Sequence, residues 1–402
     1  MKYDNTAYDI IVVGAGPAGS VAAEALARAS FRVALLEEHP HVGLPNHCSG
    51  LVSPRTLKLA GITEEDVCLA RFSQARVWGP GGKTLWLHSP SVQAIAIDRP
   101  KFDQHLARRA ANAGATLMLD TQAHHFEQLE NGVGVRAQTG QSVCRLQACL
   151  IIGADGAYSR VRRWMGAKNS KEAVPAITAD ITFQERGTDS IEIFVGNDVA
   201  TGWFGWIIPL KNGQARLGVG ATRSVHRCFE TLLDSGRRRF GRFDVHEVKE
   251  AVIPLGPERH LVGNRAMLVG AAAGQTKPTT GGGIYLGVRA AQLVAATATR
   301  AIQEGDCSRQ MLVEYERTWH RCEGPELAYG HWLRRLFRHL SDRDFDLLIK
   351  LLGSPLAQRL ISRLGDIDFP SRLFVPLLAA LPKQAAPLRA MEAGRLFRSS
   401  LQ

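Results

Sequence analysis

Gly14, Gly16 and Gly19 stand at the spacing that binds the phosphates of a dinucleotide. In such a turn the first glycine lets the chain reverse, the second lets the backbone approach a pyrophosphate, and the third, beyond Ala18, lets the next helix lie close to the strand. The N-terminus of that helix adds N–H donors and the positive end of its dipole. Glu37 and Glu38 follow where an acid meets the adenosine ribose hydroxyls. Glu37 is the better placed because it directly follows Leu35 and Leu36, and Glu38 is the fallback. NAD and FAD both use this turn, so these residues by themselves specify an adenine dinucleotide and no more.

The elements around them form a βαβ unit: a buried strand over Asp9 to Val13, a helix from Ser20 to Ala29 with small residues inward, and a strand from Arg32 to Leu36. Two more apolar strands run into glycine turns. Ala148 to Ile152 leads into Gly153-Ala154-Asp155-Gly156, and Ala266 to Val269 leads into the stretch from Gly270 to Gly283, with a helix from about Ile284. Between them lie a hairpin around Gly79 to Gly82, a helix from Pro100 to Gly114, and alternating runs from Val174 to Pro254. Ile191, Ile193 and Val195 against Glu192 and Phe194 predict an antiparallel strand with one wet face. Beyond residue 305 the chain reads as helical and arginine-rich, punctuated by Pro355, Pro370, Pro376, Pro382 and Pro387.

The trio of glycine turns, in this order, resembles the FAD-binding domain of the flavoprotein hydroxylase and reductase superfamily. Within it the chain resembles the geranylgeranyl reductase family, on four segments: Pro45-Asn46-His47-Cys48-Ser49-Gly50-Leu51, Asp98-Arg99-Pro100-Lys101-Phe102-Asp103, Gly202-Trp203-Phe204-Gly205-Trp206-Ile207-Ile208-Pro209, and Gly274-Gln275-Thr276-Lys277-Pro278-Thr279-Thr280-Gly281-Gly282-Gly283-Ile284. The resemblance implies an α/β fold with a Rossmann-type FAD-binding domain in three parts (1–75, 99–170 and 259–304). An antiparallel-sheet substrate domain is inserted as 76–98 and 171–258, and a helical C-terminal region covers 305–402.

The resemblance further implies FAD as cofactor and reduction of isolated double bonds in prenyl chains. Cys48 is its candidate catalytic residue, for proton delivery or for positioning the alkene; the plain alternative is a small buried residue beside the ring. Phe204, Trp206 and Pro209 would line the prenyl pocket, with ordinary core aromatics as the alternative. Ser49, Gly50, Arg99, Asp155, Gly270, Ala271, Gly281, Gly282, Gly283 and Ile284 would complete the FAD site. Arg99 could instead pair with Asp98 or Asp103, and Asp155 could simply shape its turn. Lys277 reads as a solvated lysine with anion binding as the alternative, and Arg160 and Arg162 as a solvated helix start. Ala271 departs from the superfamily, which places an aspartate there to bond a ribityl hydroxyl.

Composition narrows the remaining classes. The 402 residues are 45% hydrophobic and 22% charged, enough for one large core or two smaller ones without disulfides. The longest apolar stretch, Tyr285 to Ile302, is broken by Arg289 and Arg300 and falls short of a membrane span. No secretory leader is evident, and the seven cysteines, with no Cys-x-x-Cys pair, argue for a reducing cytoplasm and against a metal site. The net charge of +11 suits a phosphorylated ligand or an anionic membrane surface; no recognition helix or aromatic platform points to nucleic acid. The stripe Trp332, Leu333, Leu336, Phe337 and Leu340, with arginines opposite, is a candidate for packing on its own domain or for peripheral contact with the inner membrane surface. The substrate would be a prenylated lipid, a quinone or a prenyl diphosphate, with NAD(P)H or a ferredoxin-like protein as the electron donor. A flavin monooxygenase or halogenase, a quinone-linked electron-transfer flavoprotein and a non-catalytic binding protein are the competing readings.

Overall fold

The computed structural model describes residues 7–167, 172–185, 187–256, 260–373 and 376; Pro382 and Pro387 lie outside them. In chain order the elements are β1 (Ala7–Val13), α1 (Pro17–Arg28), β2 (Val33–Leu36), β3 (Leu51–Val52), α2 (Pro54–Ala60), α3 (Glu64–Val67), β4 (Cys68–Phe72), β5 (Gln74–Trp78), β6 (Thr84–His88), β7 (Ala94–Ile97), α4 (Arg99–Asn112), β8 (Thr116–Met118), β9 (Thr121–Leu129), β10 (Gly132–Thr139) and β11 (Ser142–Gly153). There follow α5 (Arg160–Trp164), β12 (Glu172–Phe183), β13 (Ile191–Phe194), β14 (Gly205–Pro209), β15 (Gln214–Gly220), α6 (Val225–Phe240), β16 (Phe243–Leu255), β17 (Val262–Gly263) and β18 (Ala266–Leu268). After a 3-10 turn at Gly270–Ala273 come α7 (Ile284–Gln303), α8 (Arg309–Cys322), α9 (Gly324–Phe337), α10 (Asp342–Leu352) and α11 (Pro355–Leu364). They sort into two compact units, one of Met1–Cys68, Ile97–Ala173 and Val252–Pro325, the other of Leu69–Ala96, Val174–Ala251 and Glu326–Gln402.

The first unit is built on a sheet in the order β17-β18-β11-β1-β2-β8, parallel from β18 to β8. Its central strands are apolar on both faces, as a doubly covered parallel sheet requires: Ile10, Ile11, Val12, Leu35, Leu150 and Ile152 are all fully buried. β11 is long enough to serve twice. Its later residues lie between β1 and β18, while β9 and β10 extend it as an antiparallel meander that the sequence pattern did not disclose. Helix α1 packs against α4 and α7, and its small inward residues, Ala18, Ala22 and Ala23, permit that closeness: a Cβ at Gly287 of α7 would lie 3.4 Å from the Ala18 Cβ. On α4, Phe102, Leu106 and Ala110 form the expected inner face.

The second unit is a sheet in the order β16-β12-β15-β14-β13-β5-β6. One face packs on α6 through Phe229, Leu232 and Leu233 against Ile207, Leu217 and Val219. The predicted hairpin is β5 and β6, joined through Gly79 to Gly82. The predicted wet face on β13 is absent: Glu192 is 0% and Phe194 2% exposed. Glu192 is sealed in because donors surround it. Arg76 gives it two hydrogen bonds of 2.9 Å, Trp78 Nε1 one of 2.6 Å, and the Thr188 and Ser190 hydroxyls donate from 2.5 and 2.7 Å. Burial works against the charge, yet the bonds from Arg76, Thr188, Ser190 and Trp78 hold the carboxyl below its ordinary value. Arg76 in turn lies over the rings of Trp78, Trp86 and Phe240.

Truncating one partner of such a pair leaves the other charge uncompensated. Glu192→Ala is expected to cost about 3 kcal/mol, seen as a lower urea midpoint followed by tryptophan fluorescence. A depressed folded-state pKa stabilises fully above the unfolded value of about 4.3. The gap between wild type and variant therefore narrows as pH falls below that value, and a gap constant down to acid pH would contradict the assignment.

Candidate functional site

Strand β1 runs into Gly14, whose φ of +99° is the left-handed region open to glycine. A Cβ there would sit 2.6 Å from the Ala154 carbonyl oxygen, and one at Gly19 would collide with the Gly14 carbonyl. Gly16 differs: a Cβ on it would meet nothing within 4 Å. Gly16 is the N-cap of α1, a 12-residue helix with no side-chain cap and no acidic residue in its first turn. The two outer glycines are thus required by packing, whereas the middle one fronts open space at an uncapped helix start. That is the cradle a pyrophosphate fits.

Glu37, at the end of β2, is 9% exposed. It accepts the Ala15 N–H at 3.0 Å and the backbone N–H of His39 at 3.2 Å, with the His39 ring 2.7 Å away. Glu38 is turned outward, toward Gln122 at 2.7 Å and Arg160 at 3.7 Å. Of the two predicted acids, the one tied to the phosphate turn is Glu37.

At the second glycine turn, Gly153 is squeezed between Val161 and Leu268. Asp155 caps α5: its carboxylate accepts from the Ser159 hydroxyl at 2.5 Å and from the backbone N–H groups of Arg160 and Val161 at 2.7 and 3.2 Å. Both oxygens thus serve the turn. Arg162 corrects the expectation of a solvated helix start, being 2% exposed. It donates to the Ala272 carbonyl at 3.2 Å and to the Ala157 carbonyl at 2.7 Å, stapling the second glycine turn to the third.

The third turn opens at Gly270, φ +69°, and Ala271 sits half-buried in the 3-10 turn. The Gly270 N–H donates to Gln275 Oε1 at 2.7 Å, Gln275 Nε2 to the Tyr315 hydroxyl at 2.7 Å, and that hydroxyl to the Leu268 carbonyl at 2.9 Å. Burial pushes the Tyr315 hydroxyl well above its usual range, so it remains a donor. Gln275 stood within a quoted motif without a role, and nothing in the sequence marked Tyr315. Further on, the Gly281 N–H donates to the Lys277 carbonyl at 2.8 Å and the Lys277 N–H to the Gly282 carbonyl at 3.1 Å. Gly283 then caps α7 through Ile284 without a side chain. Lys277 is 8% exposed, which overturns the solvated reading; its Cε would lie 3.0 Å from a Cβ on Gly282.

Cys48 is half-buried, its N–H bonded to Asn46 Oδ1 at 3.1 Å and its sulfur accepting the Gly50 N–H at 3.4 Å. Ser49 between them is also half-buried, and His47 is exposed. Of the three partners considered for Arg99, the structure gives Asp103, at 3.1 and 2.8 Å, while Asp98 caps α4. Burial opposes the charge of the guanidinium, but the nearby Asp103 raises its pKa and keeps it protonated.

In the second unit, Phe204 and Trp206 lie together, ring centroids 5.8 Å apart. Phe204 stacks on Trp203 at 5.2 Å, and Arg334 covers Trp203 at 4.4 Å. Glycines make the room: a Cβ on Gly218 would lie 2.5 Å from the Trp206 ring. Strand alternation puts Pro209 with Ile207 on the α6 side, away from Trp206. Arg334, one of the arginines opposite that stripe, is 4% exposed and donates to the Gly202 carbonyl. The aromatic stripe of α9 thus packs within its own unit, with Leu333 buried and Phe337 against Phe345 at 5.0 Å.

Residues 7–323 match the family described as FAD binding domain. The chain is 31% identical to digeranylgeranylglycerophospholipid reductase 1 of Methanococcoides burtonii over 388 residues, covering 94% of this chain and 92% of that one. It is likewise 31% identical to digeranylgeranylglycerophospholipid reductase 2 of Methanothermobacter thermautotrophicus, covering 91% and 98%. Among solved structures, a geranylgeranyl bacteriochlorophyll reductase-like protein of Thermoplasma acidophilum superposes with a TM-score of 0.81 at 23% identity, covering 92% of this chain and 99% of that one. A flavin-dependent brominase does so with a TM-score of 0.71 at 16% identity, covering 92% and 98%. At these identities the structures share the fold. Among the described residues no helix is long and apolar enough to cross a membrane, and no cluster could hold a metal ion.

Two substitutions test the cradle. Gly16→Val is expected to weaken FAD binding at least tenfold, about 1.4 kcal/mol, while the melting temperature of the cofactor-free chain stays unchanged. Ala271→Asp is expected to tighten FAD about ten- to a hundredfold, the worth of a charged hydrogen bond of roughly 1.5 to 3 kcal/mol. Flavin fluorescence titration reads both, and an Ala271→Asp variant with unaltered affinity would refute the second.

Proposed function

The chain belongs to the FAD-binding family of the digeranylgeranylglycerophospholipid reductases, and from that premise we propose that it saturates isolated double bonds in the prenyl chains of a lipid. It is an FAD-dependent oxidoreductase. The observation that carries the reading is a likeness to those reductases along nearly the whole chain, covering both units, whereas the halogenases and hydroxylases share only the fold.

The residues of the first unit suit FAD. The α1 N-terminus, from Gly14 through Gly16 and Ala18 to Gly19, would hold the pyrophosphate; Glu37 would meet the adenosine ribose; the Gly270–Ala271 turn and the Gly281-Gly282-Gly283 cradle before Ile284 would serve the flavin end. Asp155 and Arg99 support this site by shaping it, through the α5 cap and the Asp103 pair. When bound and reduced, FAD supplies a hydride.

An isolated alkene is a poor hydride acceptor, so the protein must orient it and protonate its other carbon. Cys48, half-buried and held at both its N–H and its sulfur, is the proton donor in this reading. Phe204 and Trp206 offer an apolar aromatic face to the prenyl chain and exclude water from it. A prenylated glycerophospholipid is the leading substrate, with prenyl quinones and diphosphates as neighbours in the same chemistry. A nicotinamide or a ferredoxin-like protein supplies the electrons, and an anionic membrane surface, matched to the +11 charge, presents the lipid.

Anaerobic incubation of the dithionite-reduced protein with a geranylgeranyl lipid should add two hydrogens per double bond by mass spectrometry. Unaltered lipid masses together with oxygen consumption on NAD(P)H and an aromatic substrate would replace this reading with a hydroxylase. Cys48→Ala is expected to lower turnover at least tenfold while leaving FAD stoichiometry intact, and equal turnover would remove the cysteine from the chemistry.

A further inference from the structure

We propose that the outward face of α10 and α11 is a membrane-docking surface, on which exposed leucines and arginines seat the protein against anionic lipid headgroups. The inference rests on the lipid substrate given above and names the part of the chain that meets the leaflet carrying it.

Both helices are formed by the chain itself, before any surface is met. Ser341 starts α10 with a reciprocal cap: its hydroxyl accepts the Asp344 N–H at 3.3 Å, and its own N–H donates to the Asp344 carboxylate at 2.8 Å. Ser354, in the turn between the helices, caps α11 by accepting the Ala357 N–H at 3.4 Å, with Pro355 at the first helical position. Gln358 Nε2 donates to the Leu352 carbonyl at 2.8 Å and so fixes the corner. The inner face of α10 is Phe345 and Ile349. Phe345 meets Phe337 at 5.0 Å, and the Ile349 side chain lies 2.6 Å from where a Cβ on Gly79 of the β5–β6 turn would stand. On α11 the buried residues are Ala357 and Ile361. With those faces inward, helical periodicity turns Leu347 and Leu356 out, and they are 54% and 55% exposed.

The charges are sorted by side. All three aspartates of α10 are engaged by the protein: Asp342 accepts the Asn197 N–H at 2.8 Å, Asp346 the Gly81 N–H at 3.1 Å, and Asp344 completes the Ser341 cap. The four cations of the two helices, Arg343, Lys350, Arg359 and Arg363, are all exposed, and among the described residues none of them forms an ion pair. Leucines set among such cations suit a lipid interface. The apolar side chains enter the acyl boundary, while the basic groups stay with the phosphates on their long stems, and the attraction grows with each cation. A second copy of the chain fits this face poorly, because a two-fold contact would set the same four cations against each other. Helix α9, whose stripe suggested membrane contact, keeps that stripe within its unit; α10 and α11 turn theirs outward.

The test is co-sedimentation of the full-length protein with phosphatidylcholine vesicles, with and without phosphatidylglycerol, at low and high salt. Binding is expected to the anionic vesicles and to weaken as salt rises. Lys350→Glu with Arg359→Glu should weaken it at least tenfold, and Leu347→Ser with Leu356→Ser about tenfold, both pairs keeping the wild-type melting temperature. Arg108→Glu with Arg227→Glu, exposed residues elsewhere, makes the same change in net charge and should leave most of the binding. Absent binding by the wild type, undiminished binding by either α10–α11 pair, or an equal loss in the control pair overturns the proposal. So does a dimer in sedimentation velocity that the leucine substitutions dissolve, which would make a second copy the occupant. Should the charge-reversed pair fail to fold, the leucine pair decides. A geranylgeranyl lipid dispersed in detergent separates this proposal from its premise: the α10–α11 variants should saturate it at the wild-type rate and lose rate only on vesicles. A wild type that binds vesicles through this face yet leaves the dispersed lipid unaltered refutes the reductase reading alone, whereas one that saturates the dispersed lipid without binding vesicles refutes the docking face alone.

Discussion

A side chain at Gly14 would stand 2.6 Å from the Ala154 carbonyl, and one at Gly19 would strike the Gly14 carbonyl. This backbone-to-backbone approach between the ends of β1 and β11 is the constraint around which the first unit is arranged. With those strands ending in contact, the small inward face of α1 lets α4 and α7 close over it. The same closeness exposes the α1 N-terminus to a phosphate while leaving open space at Gly16. Backbone amides and a helix dipole then carry the anion binding, so the site needs shape more than charge.

Holding three loops at one edge raises a second problem, since the chain between them is glycine-rich and entropically expensive to order. The unit meets it with buried polar staples. Arg162 joins the carbonyls of Ala157 and Ala272, and the Gln275–Tyr315 pair ties Gly270 back to Leu268. Each replaces contacts that an apolar residue could not make, because loop carbonyls and amides removed from water require partners. The second unit uses the same device for a different end: Glu192, wrapped by five hydrogen bonds, locks β5 to β13.

Much of this was legible in the residues. The glycine spacing, the apolar runs that precede each turn and the small-residue face of α1 all follow from local rules, and the β5–β6 hairpin and the α4 face are where the sequence places them, while the helix of the βαβ unit starts at Pro17, three residues before the expected Ser20. The misreadings share one cause. Arg162 and Glu192 are charged, and a charged residue in an amphipathic or alternating pattern is normally the wet one. Each is buried because distant carbonyls or donors surround it, and local periodicity holds no record of those partners. The β9–β10 meander went unread for a related reason: its strands, mixed in polarity, are defined by pairing on β11.

The sequence by itself determined that a dinucleotide turn exists, that it carries an acid at the right distance, and that a family's cysteine and aromatic segments accompany it. These are short-range properties, set by φ, by helix and strand periodicity and by residue type. Only the tertiary structure decided which acid faces the turn, that Asp155 caps a helix, that Arg99 grips Asp103, and that Phe204 and Trp206 share a face while Pro209 does not. Those outcomes depend on groups tens to hundreds of residues apart, or on which way a side chain turns once its neighbours are in place. A one-dimensional pattern encodes them only through the packed chain.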